Sequence, residues 1–418
     1  MDLVIEGRFY INGSIKDTSV GIEDGKIVTI GNIVRGGDER IDLGNRLILP
    51  GFVDPHVHFR DPGFTNKEDF RSGTMSALFG GKTCVLDMPN NDPPAIDVRS
   101  LKNKKSTIRS KAYVDYGLFA ALTPGCNTDL LSPMVCGFKL FMGSTTGNIL
   151  LNDDEEIGHV MKDVARTGKV VSVHAEDDSM IIRGNESNNW DHLRDRPVEA
   201  EQNAIRRLSA YRGMKVNICH VTDPRSLELA ASLGFTTEVT MNHLFLCADD
   251  STAAYTKVNP PLRDRKTRDS LYKAFAEGKV TMFGSDHAPH MLTEKEQDYQ
   301  SAPSGIPTVE TDIPIWMNLV KHNQIPLELI VRMGAEMPAR TFGINKGRIA
   351  VGYDADLIAF DMKKGTTINA DRLHSRASYS PYEGMEAIFP DTVIIRGEVQ
   401  VDDGEFCGSN VGEDVSGY

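Results

Sequence analysis

The chain has 418 residues, 40% hydrophobic and 25% charged, a composition that fits a globular protein with one large domain and a smaller one. With 46 basic and 59 acidic residues its net charge is -13, which excludes a general attraction for nucleic acid or an anionic membrane. No segment approaches the roughly 20 apolar residues of a membrane span, residues 1–6 do not resemble a secretion signal, and the six cysteines form no Cys-x-x-Cys pair. We therefore expect a cytoplasmic protein with reduced thiols and no membrane or nucleic-acid partner.

Both ends of the chain have the pattern of short β-strands. Residues 1–49 contain apolar runs separated by Asn12-Gly13 and Asp24-Gly25, which are hairpin-turn signals. Similar runs return at residues 347–360 and 392–397. The sequence thus predicts a small discontinuous β-sandwich formed by residues 1–49 together with 345–418.

Residues 50–344 repeat a strand followed by a helix. Helix-like stretches, such as 67–79 and 199–211, separate eight candidate strands at 52–57, 83–88, 113–120, 137–141, 170–174, 216–220, 236–240 and 280–285. This α/β alternation predicts a (β/α)8 TIM-type barrel, with an open doubly wound sheet as the alternative. The barrel is favoured because polar residues recur at the C-terminal strand ends, where such barrels carry their chemistry.

The segment Pro50-Gly51-Phe52-Val53-Asp54-Pro55-His56-Val57-His58-Phe59-Arg60-Asp61 begins the barrel. Strand alternation places His56, His58 and Arg60 on one face, where burial without partners would be costly, so they are expected to face a cavity. A metal is the natural partner of paired imidazoles. The alternative is a half-exposed strand with two ordinary histidines.

Other strand ends carry polar residues as well: Lys139, His174, His220 and Asp286. Each alone has a simpler interpretation, since a histidine can be a hydrogen-bonded structural residue, Asp286 can cap the next segment and Lys139 can extend to solvent. Together with His56 and His58, they predict a metal-binding, catalytic barrel.

With these residues, the chain resembles the amidohydrolase superfamily and, within it, the dihydroorotases of the class I type. The segment Val351-Gly352-Tyr353-Asp354-Ala355-Asp356-Leu357 is similar to the C-terminal motif of that superfamily. The resemblance implies one or two zinc ions per subunit, with two favoured. It assigns His56, His58 and Asp286 to one ion, His174 and His220 to the other, and a carboxylated Lys139 to the bridge between them. Asp286 would also be the catalytic acid and base.

The resemblance also implies a substrate and the residues that bind it. Arg60, Asn90 and His290 are similar to residues that hold the substrate carboxylate, and Asn259 to one that contacts the pyrimidine ring. The reaction would be the reversible cyclisation of N-carbamoyl-L-aspartate to L-dihydroorotate in de novo pyrimidine biosynthesis, carried out by a homodimer on a small anionic substrate. The alternatives are an allantoinase, a hydantoinase or dihydropyrimidinase, and a non-catalytic scaffold of the same fold.

The chain departs from the family pattern in two places. Met241-Asn242-His243 stands where relatives commonly have Pro-His-His, so His243 is assigned no metal, and Thr308 replaces a commoner glycine after Pro307. Neither departure removes an expected ligand. The second affects the loop expected to bind the ring.

Overall fold

The computed structural model describes residues 1–145, 149–250 and 253–417. The N-terminal segment forms four strands, in which Asn12-Gly13 and Asp24-Gly25 make the predicted turns: β1 (Leu3–Ile11), β2 (Ser14–Glu23), β3 (Lys26–Gly31) and β4 (Glu39–Pro50). Strand β1 pairs antiparallel with β2 and parallel with β4.

The central part of the chain forms a parallel barrel. Within the described ranges its eight strands are β5 (Phe52–Val57), β6 (Lys82–Asp87), β7 (Asp115–Ala121), β8 (Gly137–Phe141), β9 (Val170–His174), β10 (Val216–Ile218), β11 (Thr236–Thr240) and β12 (Met282–Gly284). The barrel closes between the first and last strands, where the backbone N–H of His58 donates to the carbonyl of His287 at 2.8 Å. The (β/α)8 prediction is confirmed.

Helices connect these strands and continue beyond them: α1 (Phe70–Phe79), α2 (Val98–Ile108), α3 (Thr128–Leu131), α4 (Asp154–Thr167), α5 (Asn189–Asp195), α6 (Val198–Arg207), α7 (Pro224–Ser232), α8 (Met241–Phe245), α9 (Arg265–Ala276), α10 (Leu292–Lys295), α11 (Asp312–Lys321), α12 (Leu327–Val331) and α13 (Met337–Phe342). Helix α4 shows how the sequence sets their bounds. The Asp153 side chain accepts from two backbone N–H groups at its start, and Gly168, with φ 67°, ends it in a left-handed conformation. No helix among the described residues is long and apolar enough to cross a membrane.

The C-terminal segment returns to the N-terminal strands. Its strands are β13 (Leu357–Phe360), β14 (Thr366–Thr367), β15 (Glu386–Ala387), β16 (Thr392–Ile395), β17 (Glu398–Asp402) and β18 (Glu405–Phe406). As far as the structure describes the chain, the two ends share one eight-stranded sheet of order β18-β17-β16-β13-β4-β1-β2-β3. The two ends therefore form one β unit apart from the barrel, as expected.

A buried lysine joins that sheet to the barrel. The Lys346 ammonium lies 2.7 Å from carboxylate oxygens of Asp115 and Asp356 and 3.2 Å from one of Asp354. Asp115 belongs to β7, whereas the other two carboxylates lead into β13. Burial lowers the pKa of Lys346, but the three carboxylates outweigh it and raise that pKa well above its usual value, so the cation is retained.

Candidate active site

The predicted site residues converge at the C-terminal mouth of the barrel. All of them except His290 line one pocket, whose described lining is His56, His58, Arg60, Asn90, Lys139, Phe141, Thr145, His174, His220, Val258, Asn259, Asp286, Ala288, Ser304 and Gly305. They come from β5, β8 and β9 and from the segments that follow β5, β6, β10, β11 and β12. This is the end of the barrel at which enzymes of this architecture place their active sites.

One cluster consists of His56, His58 and Asp286. His58 donates from Nδ1 to Asn90 Oδ1 at 2.6 Å, and His56 places Nδ1 2.7 Å from Glu238 Oε1. The opposite ring nitrogens, Nε2, then lie 3.1 Å and 3.4 Å from Asp286 Oδ1, for His58 and His56 respectively. Because two imidazole nitrogens and a carboxylate oxygen face one another here, the cluster has the donor set and the anchored imidazoles of a cation site.

A second cluster pairs His174 with His220. His174 Nδ1 lies 3.1 Å from His220 Nε2, while His174 Nε2 donates to Glu176 Oε2 at 2.7 Å. Glu176 is itself paired with the guanidinium of Arg196. His220 Nδ1 is buried and has no hydrogen-bond partner among the described residues. Two imidazole nitrogens that face each other in this way also fit a bound cation.

Lys139 occupies the barrel interior near both clusters. The residue is 1% exposed, and its Nζ lies 3.1 Å from Cys219 Sγ. Within the described part of the chain it forms no ion pair, although an isolated buried ammonium is strongly disfavoured. The position therefore fits a lysine whose charge is changed chemically.

The six cysteines are all unpaired, as expected.

Three of the four clustered imidazoles are neutral in these surroundings. Burial lowers the pKa of His58 to about 4, lowers that of His174 and lowers that of His220 well below its usual value. A neutral imidazole is the form that binds a metal, so these side chains need lose no proton at neutral pH in order to coordinate.

His56 behaves differently because it lies between two carboxylates. Burial and Lys139 lower its pKa, but Glu238 and Asp286 outweigh them and raise it to about 10. Burial would raise the pKa of Asp286, yet His56 and His58 hold it well below its usual range. The first cluster thus carries excess negative charge that a cation would balance, with release of the His56 proton.

The backbone turns sharply at three of these residues. Arg60, His220 and Asp286 have φ values of 61°, 37° and 46°, in the left-handed region that side-chain-bearing residues rarely adopt. The expectation that Arg60 continues the strand face of His56 and His58 is wrong, because β5 ends at Val57. The turn nevertheless directs the Arg60 side chain into the same pocket.

The residues expected to bind the substrate are held by contacts of their own. Arg60 donates from Nε to the Pro289 carbonyl at 3.3 Å, and its Nη2 lies 3.1 Å from His290 Nε2. Asn259 Oδ1 accepts from His192 Nε2 at 2.8 Å. Burial lowers the pKa of Arg60 to about 10, which leaves its guanidinium charged at neutral pH.

His243 has both ring nitrogens in use. Its Nδ1 lies 2.8 Å from the Thr240 hydroxyl, and its Nε2 lies 2.9 Å from the Pro260 carbonyl. A histidine held in this way has no nitrogen left to bind a metal.

Sequence reasoning missed the buried residues that hold the ligands. Glu176 stands two positions after His174 and orients it, Arg196 pairs with Glu176, and Glu238 faces His56 from the middle of β11. A charged residue in the interior of a buried strand was a usable signal for Glu238, as it was for Lys139. Arg196 had no comparable signal, because it lies just beyond α5.

Comparisons with known proteins agree with this geometry. A family model described as the amidohydrolase family matches residues 47–123 and 150–399. Proteins named dihydroorotase from Thermoplasma volcanium and Methanosarcina acetivorans are 37% and 35% identical to this chain, over 100% and 94% of it and 99% and 90% of their own lengths. Among solved structures, an L-hydantoinase from Arthrobacter aurescens has a TM-score of 0.93 at 28% identity, with 99% of each chain covered. A dihydropyrimidinase from Brevibacillus agri has a TM-score of 0.88 at 27% identity, with 100% of this chain and 98% of the other covered.

Proposed function

The chain belongs to the amidohydrolase family, and from that premise we infer that it is a dihydroorotase, a cyclic amidohydrolase that interconverts N-carbamoyl-L-aspartate and L-dihydroorotate in pyrimidine biosynthesis. The observation that carries the inference is the position of Arg60. Its buried guanidinium lines the same pocket as the histidines and Asp286. A fixed cation beside the reacting centre suits a ring that bears a carboxylate, and it also explains how a protein of charge -13 attracts an anion.

We propose that the site binds two zinc ions. His56, His58 and Asp286 would hold one, His174 and His220 the other, and a carboxylated Lys139 would bridge them. The mixed imidazole and oxygen donor set, the facing nitrogens of His174 and His220, and the Lys139 ammonium, which forms no ion pair among the described residues, support this assignment. When bound, zinc supplies Lewis acidity and lowers the pKa of water to roughly 7.

Asp286 is the proposed acid and base of the reaction. In the hydrolytic direction its carboxylate takes a proton from the attacking water and gives it to the ring nitrogen as the amide bond breaks. In the direction of ring closure the proton moves the other way. The low pKa keeps the group ionised at neutral pH, and its oxygen already faces His56 and His58.

Other residues would hold the substrate in place. Arg60, Asn90 and His290 would bind its carboxylate, and Asn259 would contact the ring; apart from His290, which touches Arg60, they line the pocket with the proposed ligands. We further propose a catalytic barrel of residues 50–344, a β unit of residues 1–49 and 345–418, and a cytoplasmic homodimer.

A hydantoinase or dihydropyrimidinase is the second candidate, because solved structures with those titles superpose on nearly the whole chain. Those names imply ring substrates without the carboxylate that Arg60 would neutralise. An uncompensated buried guanidinium would penalise such a ring, which favours the dihydroorotase assignment. The full set of expected ligands also disfavours a non-catalytic scaffold.

One experiment tests the function and its cofactor together. The purified protein is analysed for bound metal and then assayed with L-dihydroorotate, hydantoin, dihydrouracil and allantoin. We expect zinc, and turnover of dihydroorotate at least a hundredfold faster than of the other rings, since a charged hydrogen-bonding site strongly rejects analogues that lack the matching group. Equal turnover of hydantoin or dihydrouracil would overturn the assignment.

A further inference from the structure

Lys67 is a charged residue in contact with His290, and the proposed function assigns it no role. Its Nζ lies 3.0 Å from His290 Nδ1 and 2.9 Å from Glu294 Oε1. The Lys67 side chain is 16% exposed and that of His290 only 1%. Lys67 comes from the segment after β5 and His290 from the segment after β12, so the contact spans the point of barrel closure.

Two groups that can only donate face the ring: the Lys67 ammonium lies 3.0 Å from Nδ1 and the Arg60 guanidinium 3.1 Å from Nε2. A neutral ring accepts from only one of them. A proton on Nε2 satisfies both the Lys67 contact and the Ser304 carbonyl, whereas a proton on Nδ1 satisfies only the Arg60 contact, so the geometry favours the Nε2–H tautomer. The Nε2–H has a suitable acceptor in the Ser304 carbonyl at 3.0 Å. Glu294 Oε2 is 3.7 Å from Nδ1, beyond hydrogen-bond distance, so it does not compete for a proton on that nitrogen.

This arrangement places two donors side by side. His290 Nε2 and Arg60 Nη2 are 3.1 Å apart, and neither can accept from the other when the ring proton is on Nε2. An anionic oxygen between them would accept from both, with the Nε2–H shared between that oxygen and the Ser304 carbonyl. The opposite tautomer would instead present a lone pair toward that oxygen and repel it.

We propose that Lys67 is a positioning residue for the substrate carboxylate: by donating to Nδ1 it holds His290 in the Nε2–H tautomer, so that the imidazole and Arg60 donate to the same carboxylate. The proposal rests on the proposed function for the identity of the ligand. The tautomer of His290 follows from its contacts alone and does not depend on the identity of the substrate.

The charged groups around His290 explain why the tautomer matters. Burial, the largest effect, lowers the pKa of His290 to about 3; Arg60, Lys67 and Lys295 also lower it, and Glu294 opposes them. His290 is therefore neutral at any working pH. Its donor toward the carboxylate must come from the position of the proton, because a positive charge on the ring is not available.

Nitrogen-15 NMR of selectively histidine-labelled, zinc-loaded protein tests the proposal directly. The His290 signals, assigned by their loss in His290→Gln, should show the neutral Nε2–H form in the wild type and in Lys67→Arg, which keeps a donor. In Lys67→Met they should shift toward a mixture of tautomers. A wild-type ring protonated on Nδ1, or a Lys67→Met spectrum identical to the wild type, would overturn the proposal.

Steady-state kinetics give a second signature. Lys67→Met should raise the KM for dihydroorotate about tenfold at pH 8, as expected for loss of one charge-assisted bond. Lys67→Arg, which keeps a donor toward Nδ1, should leave the KM close to that of the wild type. A wild-type KM in Lys67→Met, or an equal rise in Lys67→Arg, would contradict the proposal. Absence of wild-type turnover would instead refute the proposed function and leave the NMR result unaffected.

Discussion

The Thr308 hydroxyl donates a hydrogen bond to Asn242 Oδ1 across 3.1 Å. Asn242 and Thr308 belong to the two places at which the chain departs from the family pattern, and they are in direct contact. The Tyr382 hydroxyl donates to the same oxygen at 2.6 Å. The Thr308 backbone N–H also donates to His287 Nδ1 at 3.1 Å, next to Asp286. The departures therefore form one connection between α8, the segment after β12 and the C-terminal segment.

Breaking this connection should destabilise the protein in a non-additive way. Thr308→Val and Tyr382→Phe each leave Asn242 Oδ1 with one donor, so each should lower the free energy of unfolding by about 1 kcal/mol. The double variant leaves a buried oxygen unpaired and should cost more than the sum. Urea unfolding of the metal-loaded proteins measures this, with Thr308→Ser as the control that keeps the hydroxyl. Strict additivity would show that the two donors act independently.

Replacement of the proposed proton carrier should reduce turnover rather than binding. Asp286→Asn keeps the size of the side chain but cannot hold the proton, so kcat should fall by about 100-fold to 10,000-fold. Metal content must be measured beside kcat, because Asp286 is also a proposed ligand. Near-normal turnover with full metal would remove its acid and base role.

Removal of the pocket guanidinium should act mainly on substrate affinity. Arg60→Met takes away charge-assisted bonds to the carboxylate, and the KM for dihydroorotate should rise about tenfold to a hundredfold. Arg60→Lys keeps the positive charge but loses the paired N–H donors of the guanidinium, so its KM should lie between those of the wild type and Arg60→Met. If Arg60→Met left the KM unchanged, the carboxylate would have to bind elsewhere.

Loss of the interior lysine should be rescued by a small acid. Lys139→Ala removes the proposed bridging carbamate, and we expect most of the bound zinc to be lost. Short carboxylic acids such as acetate or propionate should restore part of the metal content and activity, since they supply the missing anionic oxygens. Full zinc occupancy in Lys139→Ala without added acid would refute the bridge.

The second metal position should depend on the buried carboxylate behind His174. Burial would raise the pKa of Glu176, but Arg196 and His174 hold it well below its usual range. Glu176→Gln weakens this support, and zinc affinity at the His174–His220 position should fall about tenfold to a hundredfold. Chelator titration should then remove one equivalent of zinc before the other. A chelator titration identical to that of the wild type would argue against the role.

The sequence was most informative where a residue conflicts with its surroundings. A lysine within β8 and histidines at the ends of strands could be recognised because a barrel interior is otherwise apolar. The path of the chain after β5 could not be predicted from the sequence. The alternation of polar and apolar residues alone would continue the strand through Arg60. In the structure, the Phe59 N–H donates to Asp87 Oδ1 at 2.8 Å, a contact 28 residues apart that no local pattern encodes. The supporting residues behind the ligands depend on such long-range contacts as well.

The left-handed backbone at Arg60, His220 and Asp286 places functional side chains in the pocket at a cost to the stability of the barrel. Each such conformation costs a side-chain-bearing residue about 1 to 2 kcal/mol, a penalty that glycine escapes. A selection for heat resistance alone would therefore be drawn toward glycine at these three positions. Each gain would remove a guanidinium, an imidazole or a carboxylate from the pocket, so thermostable variants of this protein should be selected under an activity requirement.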